Sequence, residues 1–276
     1  MPVLLMRLAA PMQSWGSNSR FTRRETETMP TKSGVIGMIA AALGIGRGEP
    51  LARFQGLRFG VRADQPGTLL RDYQTAKNER GTMMPLSNRY YLQDAVFLVG
   101  LESDNMERLE EYRQALRSPH YPIFLGRRSC PPDGPIQTWM SEESLEDALR
   151  HAPWRAAEWY QRRALRDESL FPERCFARIM IEPNSAEQLE STFVDTLADE
   201  PVSFDPRRRE WRQRRIVSLT DDIQPEPTVD RPLSPDASVA NSAGRLENEN
   251  DVADSQSLFD GDAIFDAIAG PEGEDL

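Results

Sequence analysis

Histidine and cysteine are scarce in this sequence of 276 residues. The two histidines are His120 and His151, and the two cysteines, Cys130 and Cys175, lie far apart in the chain. A structural zinc site needs about four such ligands at close spacing, so we expect no metal and no cofactor. Isolated cysteines are typical of free, buried thiols. Neither histidine lies in a motif that exposes a serine nucleophile, which disfavours a hydrolase of that class.

Long apolar runs are also absent. No stretch approaches the roughly 18 consecutive apolar residues that a transmembrane helix needs. The first residues, 1–7, lack the order of regions that marks a secretory signal. We therefore expect a cytoplasmic protein without a membrane partner.

The negative charge of the chain is concentrated at its C-terminal end. The sequence has 33 basic and 44 acidic residues, a net charge of −11, which by itself argues against a nucleic-acid partner. Residues 221–276 hold 15 of the acids and only two of the bases, so the remainder is close to neutral. That segment is rich in proline, serine and asparagine, a composition that cannot bury enough apolar surface to fold. The sequence thus predicts one folded domain over 1–218 and a disordered acidic tail over 219–276.

Lysine is nearly absent, because 31 of the 33 bases are arginine and only Lys32 and Lys77 are lysine. A GC-rich genome produces such a bias without any function. Selection for forked guanidinium donors, which grip phosphate and stack on bases, produces it as well. Composition leaves both explanations open.

The periodicity of apolar residues indicates an α+β domain. A helix over about 32–43, capped by Thr31 and closed by Gly44, and a second helix over 106–116 are the clearest segments. A third, short helix is predicted from Ser144 to about Arg150. Alternating or continuous apolar residues predict strands at 3–8, 57–62, 69–74, 89–99 as one long strand, 176–181, 202–204 and 211–218. The polar stretch between Lys77 and Asn88 suggests a projecting hairpin.

The start of the first predicted helix, Pro30–Gly34, combines free amides, a lysine, a hydroxyl and a glycine that permits close approach. These groups suit a phosphate, and they equally suit ordinary helix capping. The nearby Arg20, Arg23 and Arg24 favour the phosphate interpretation. The glycines at 44–48 follow a helix instead of opening one, which argues against a dinucleotide loop.

Three further arginine-containing segments have two interpretations each. Arg127 and Arg128 in the loop 126–129 suit either phosphate binding or a structural pairing with acids. The segment 207–215 has six arginines around Trp211, as in a solvated strand edge or in a groove with a stacking ring. Arg89–Tyr91, near two methionines, suits either a sheet surface or insertion between bases.

Several segments together resemble a known family. They are 4–8 (LLMRL), 11–16 (PMQSWG), 30–37 (PTKSGVIG), 70–75 (LRDYQT) and 121–131 (YPIFLGRRSCP), with DEP at 199–201 and REW at 209–211. In this order, over residues 1 to about 218, the sequence resembles the CasD family of subunits of type I-E CRISPR Cascade complexes. The acidic tail has no counterpart in that pattern.

The resemblance implies a ferredoxin-like (RRM/RAMP) domain with an antiparallel sheet and a thumb hairpin at about 77–92. It implies a non-catalytic subunit that binds CRISPR RNA (crRNA), caps its 5′ handle and joins the backbone and large subunits, with target DNA engaged only indirectly through the complex. The residues expected at the RNA are Gln13, Ser14, Trp15, Arg20, Arg24, Thr31, Lys32, Ser33, Gly34, Arg71, Tyr73, Arg89, Tyr90, Arg127, Arg128 and Ser129.

Two other functions remain open at this point. A metal-independent endoribonuclease that processes precursor crRNA would need a histidine, a lysine and a tyrosine as acid and base. The candidates are His120, His151, Lys32, Lys77, Tyr73 and Tyr121. A general binder of single-stranded RNA would show no preference for the handle.

Overall fold

The described part of the chain alternates short strands with four α-helices. The structure, a computed structural model, describes residues 1–17, 23–166, 177–184 and 194–219, together with Thr228. The elements in chain order are β1 (Val3–Ala9), β2 (Met12–Gln13), β3 (Arg23–Arg24), α1 (Lys32–Ala42), β4 (Arg58–Gln65), β5 (Thr68–Gln74), β6 (Ser87–Gln93), β7 (Val96–Glu102), α2 (Met106–Arg117), β8 (Gln137–Ser141), α3 (Leu145–His151), α4 (Glu158–Arg166), β9 (Arg178–Ile181), β10 (Val194–Ser203) and β11 (Glu210–Leu219).

A seven-stranded sheet forms the centre, in the order β10-β11-β9-β4-β7-β1-β8. Each pairing in it is antiparallel. β7 is buried along its whole length, as expected of the apolar run Val96–Leu101, and the buried Glu102 at its end pairs with Arg58. The predicted combination of helices with an antiparallel sheet is confirmed.

The two faces of this sheet carry different helices. Side chains of α1 and α2 pack on one face, with Leu4, Phe59 and Phe97 from the strands. Those of α3 pack on the other, with Leu5 and Leu98. Burying one such side chain fully contributes roughly 1.5–3 kcal/mol, so the double-sided core is the main source of stability.

A smaller sheet contains β2, β3, β5 and β6. β5 and β6 pair from Thr68 opposite Gln93 to Gln74 opposite Ser87, and the connecting residues 75–86 are exposed. The hairpin therefore starts earlier than the predicted 77. The expected single long strand over 89–99 is wrong, because Asp94 adopts a left-handed conformation (φ 55°) between β6 in the small sheet and β7 in the large one.

Side-chain caps begin the three predicted helices. Thr31, Asn105 and Ser144 each accept a hydrogen bond from the backbone N–H three residues later. Gly44, just beyond α1, has φ +77°, as expected of a helix end. The sequence did not predict α4, because its buried side chains are only Gln161 and Ala164 and leave no apolar periodicity. It also missed β8.

The predicted tail lies outside the described residues except for two positions. Leu219 ends β11, and the backbone N–H of Thr228 donates to Gln161 Oε1 of α4 at 2.9 Å. Of the helices described, none has the length and apolar character needed to cross a membrane.

Candidate functional site

A groove of about 630 Å³ runs along α1. Its floor is a row of small residues on that helix, including Gly34, Gly37 and Ala41, so the helix backbone is close to the surface. One wall is the loop 121–128, and the other comes from Phe204 and the connection between β10 and β11. A second cavity of about 260 Å³ shares Ser33, Gly34, Gly126, Phe204 and Trp211 with it. We call the two together the α1 groove.

Two guanidinium groups on the walls are available to a ligand. Arg128 and Arg209 line the groove and are exposed, and neither has a carboxylate within ion-pair distance in the described ranges. Tyr121 and Trp211 line it as well and keep 48% and 43% of their surface exposed. Free guanidinium groups beside open aromatic rings suit a single nucleic-acid strand, whose phosphates pair with arginine and whose bases stack.

Gly126 lets two loops of the site meet. It has φ +88°, and a Cβ built there would lie 1.7 Å from the carbonyl oxygen of Ser14. The N–H of Ser14 donates to the Leu125 carbonyl at 3.2 Å across the same junction. Only glycine fits this approach without moving the backbone.

We expect Gly126→Ala to destabilise the protein by about 1–3 kcal/mol and to displace the loop that carries Arg128. The measurements are urea unfolding and RNA binding by the folded fraction. Gly48→Ala is the matched control, since nothing lies within 4 Å of a Cβ there. Equal stability of the two variants would contradict the close contact.

The structure corrects the expectation that Lys32 faces phosphates. The lysine is 4% exposed, and its ammonium pairs with Glu182 at 2.9 Å and Glu200 at 2.6 Å. Its backbone N–H donates to the buried carboxylate of Asp199 at 2.7 Å. Protein carboxylates therefore occupy the positive end of α1, and Lys32 joins this helix to the sheet.

The expected RNA contacts of Gln13 and Trp15 are corrected too, because both side chains are fully buried. Gln13 Nε2 donates to the carbonyl of Ala95 at 2.7 Å, and its Oε1 accepts from Trp15 Nε1 at 3.1 Å. The indole packs on α1, where a Cβ at Gly34 would lie 2.8 Å from its Cε3. Thr31, also buried, serves as the helix cap.

Arg127 connects three backbone segments of the site. Its guanidinium donates to the carbonyls of Tyr90 at 3.0 Å and Arg24 at 2.7 Å, and it lies over the Tyr91 ring at 4.8 Å. Ser14 Oγ donates to the same Tyr90 carbonyl at 3.1 Å. These bonds connect β3, β6 and the 126–129 loop, and the next residue, Arg128, lines the groove.

Other expected residues lie on the hairpin and do not line the α1 groove. Arg71 Nε donates to Asn88 Oδ1 at 2.9 Å, and its guanidinium lies 5.9 Å from the centre of the exposed Tyr73 ring. Arg89 on β6 keeps a buried Nε with no hydrogen-bond partner among the described groups. The hydroxyl of Ser129 lies 3.4 Å from that of Tyr91. Arg20 lies outside the described residues.

The expected set thus divides in three, and it omitted part of the groove. One part lines the α1 groove: Ser14, Trp15, Thr31, Ser33, Gly34, Arg127 and Arg128. A second part lies on the hairpin: Arg71, Tyr73, Arg89 and Tyr90. The third part, Gln13, Arg24, Lys32 and Ser129, contacts neighbouring protein groups without lining the groove. Arg209 and Trp211 were absent from the expected set. Their sequence signal was visible, since six arginines surround this tryptophan, but a solvated strand edge explains the same pattern.

Of the candidate acid and base residues, His120 and Tyr121 are in ring contact at 4.5 Å, but Lys32 and the two histidines are not brought together. Lys32 begins α1, whereas the N–H of His120 donates to the carbonyl of Ala42 at the opposite end, about 15 Å away along the helix. His151 is exposed on α3, on the other face of the sheet, and pairs with Glu143. Burial raises the pKa of the Cys130 thiol, which therefore stays protonated near neutral pH.

Comparison with known proteins identifies the family. The family model described as CRISPR-associated protein Cas5 matches residues 3–219. The chain belongs to the Cas5 family. The match covers each element from β1 to β11, and the groove lies wholly within the Cas5 region. The resemblance drawn from the sequence segments is confirmed.

Individual relatives agree with this assignment. The chain is 35% identical over 153 residues to the CRISPR system Cascade subunit CasD of Escherichia coli strain K12, covering 48% of this chain and 68% of that one. Its fold is similar to a chain of a CRISPR RNA-guided surveillance complex, with a TM-score of 0.62, 29% identity and coverage of 80% and 90%. A crystal structure of a Cas protein matches with a TM-score of 0.56, 33% identity and coverage of 81% and 98%.

Proposed function

We propose that this Cas5-family chain is a non-catalytic, crRNA-binding subunit of a type I-E Cascade surveillance complex. It holds the 5′ handle of the guide in the α1 groove, contacts the backbone and large subunits, and engages target DNA only through the assembled complex. The single observation that carries the proposal is the α1 groove itself, where Arg128 and Arg209, which have no described carboxylate partner, lie beside exposed aromatic rings. Similarity to CasD and to a chain of a surveillance complex supports it.

We also propose that the centre of the domain is ferredoxin-like. The succession β1-α1-β4-β7-α2-β8, with the sheet order β8-β1-β7-β4, supports this assignment. The β5–β6 hairpin is then the thumb, with its exposed connection 75–86 reaching the junction of handle and spacer. Arg71, Tyr73, Arg89 and Tyr90 would contact RNA there rather than in the groove.

The proposed RNA contacts in the groove differ from the first expectation. Ser33, Gly34, Arg128, Arg209 and Trp211 contact the handle, and Lys32, Gln13, Trp15 and Arg127 position them. Phosphate contacts make the affinity for a single strand depend on salt. The logarithm of the binding constant falls with the logarithm of the salt concentration, with a slope of about 0.7 per phosphate contact.

Binding of repeat-derived handle RNA by the purified chain tests the function. We expect tighter binding to the handle than to a scrambled RNA of equal length, and no cleavage of precursor repeat RNA in EDTA. Equal affinity for both RNAs would indicate a general single-strand binder. Site-specific cleavage that is lost in His120→Ala or His151→Ala would establish the endoribonuclease instead.

A further inference from the structure

One edge of the central sheet is open. β8 is the last strand in the order and, in the part of the chain that the structure describes, pairs only with β1. In an antiparallel edge strand, alternate residues direct their backbone N–H and C=O groups away from the neighbouring strand. These groups need a partner, which is either water or another strand.

A groove of about 460 Å³ follows this edge. Gln137, Thr138 and Trp139 of β8 form one side, and Arg113 and Arg117 of α2 form the other. Arg113 pairs with Glu110 through Nη1 at 3.1 Å, and its buried Nε has no hydrogen-bond partner among the described groups. Arg117 is exposed and forms no ion pair with any described carboxylate. The groove therefore contains one guanidinium, that of Arg117, without a described counter-charge.

The opposite side of the same strand is basic as well. The guanidinium of Arg155 lies 4.2 Å from the centre of the Trp139 ring, and its Nε is buried with no partner in the part of the chain that the structure describes. The nearby carboxylate of Asp133 is held by Arg7 at 3.5 Å. Arginines thus lie on both sides of a strand whose outer backbone edge has no partner strand among the described residues.

We propose that the β8 edge, defined by Gln137–Ser141 with Arg113, Arg117 and Arg155, binds an extended acidic segment of a neighbouring protein as an additional strand. The backbone of the segment pairs with β8, and its carboxylates accept from the arginines. A nucleic-acid strand has no backbone amides to match the edge. A second copy of β8 would bring like charges together, which disfavours pairing between copies of this chain.

Hydrogen exchange in the assembled complex tests this surface. The chain is co-expressed with the proteins encoded beside its gene, and exchange of the Gln137–Ser141 amides is compared between the free chain and the purified assembly. We expect roughly tenfold or greater slowing on assembly. A crosslinker placed by Thr138→Cys is expected to attach to an acidic stretch of another protein, identified by mass spectrometry.

Charge variants separate this surface from the RNA groove. Arg113→Glu with Arg117→Glu is expected to weaken incorporation into the assembly at least about tenfold and to leave handle-RNA affinity of the free chain unchanged. The same positions changed to lysine keep the charge and serve as the matched control. Unprotected β8 amides, or crosslinks to RNA or to a non-acidic segment, would overturn the proposal. If the unaltered chain does not bind handle RNA, that result would instead contradict the proposed function.

Discussion

Asp64→Ala is expected to destabilise the protein by about 3–5 kcal/mol, because it leaves a buried arginine without its counter-charge. Arg62 and Asp64 are both fully buried on β4, with Nε to Oδ1 at 2.6 Å and Nη2 to Oδ2 at 3.0 Å. The carboxylate also accepts from the N–H of Arg155 at 2.7 Å. The measurement is the free energy of unfolding in urea.

Arg62 also connects α3 to the sheet. Its guanidinium donates to the carbonyls of Leu149 at 2.6 Å, Ala152 at 2.6 Å and Pro153 at 2.8 Å. Without Arg62, these carbonyl groups at the end of α3 would lack that hydrogen-bond donor. Because this lies on the α3 face, RNA affinity of the folded fraction is expected to be unchanged.

A surface pair provides the control. Asp133→Ala removes a partner of Arg7 that is 51% exposed at its side chain, and the expected cost is at most about 1 kcal/mol. Arg62→Met combined with Asp64→Leu is expected to lose less than the sum of the two single changes, since no unpaired charge is left. Additive losses would show that the pair is not a coupled unit.

Arg128→Ala with Arg209→Ala is expected to produce the largest loss of handle RNA affinity, about tenfold for each guanidinium removed. A hydrogen bond to a charged group is worth about 1.5–3 kcal/mol, and both side chains are exposed, line the groove and lack a carboxylate partner within the described ranges. The salt slope of the affinity should fall by roughly 0.7 for each lost contact. Fluorescence anisotropy at several salt concentrations measures both quantities.

Arginines on α4 serve as the matched control. Arg163→Ala with Arg166→Ala removes the same charge from a helix that does not line the groove, so both the affinity and the slope should change little. An unchanged slope in the Arg128 and Arg209 variant would remove these residues from the phosphate contacts and place the RNA elsewhere.

Trp211 separates stacking from charge. Trp211→Ala is expected to weaken binding by about 1–3 kcal/mol if one base stacks on the ring, with the salt slope unchanged because no phosphate contact is lost. Trp211→Phe should recover part of that loss. A parallel fall of affinity and slope would mean that the variant disturbs Arg209 rather than a stacked base.

The local elements were predictable because their signals are local. The helix over 32–43 follows from apolar residues at helical spacing and from Thr31 as its cap, and both agree with α1. The break at Asp94 was not predictable in the same way. The sequence on both sides is suited to strands, and only pairing with two different sheets requires the left-handed residue between them.

The site was predictable in its motifs and less so in its roles. Residues from Pro30–Gly34 and from the 126–129 loop line the same cavity. Lys32 illustrates what was not predictable. A lysine at a helix start suits a phosphate, and the acids that neutralise it, Glu182 and Glu200, lie about 150 residues or more away in the chain. Which arginine is free and which is held is likewise set by distant partners.

The sequence by itself determined the Cas5-type resemblance, the separation of a near-neutral domain from an acidic tail, and the order of most helices and strands, because these depend on composition and on neighbours in the chain. The tertiary structure decided which charges face outward. Within the described ranges Arg128 and Arg209 have no carboxylate partner, whereas Lys32 pairs with Glu182 and Glu200, and Arg62 pairs with the buried Asp64. Desolvating a charge is costly unless it is paired, and pairing depends on contacts between residues far apart in sequence.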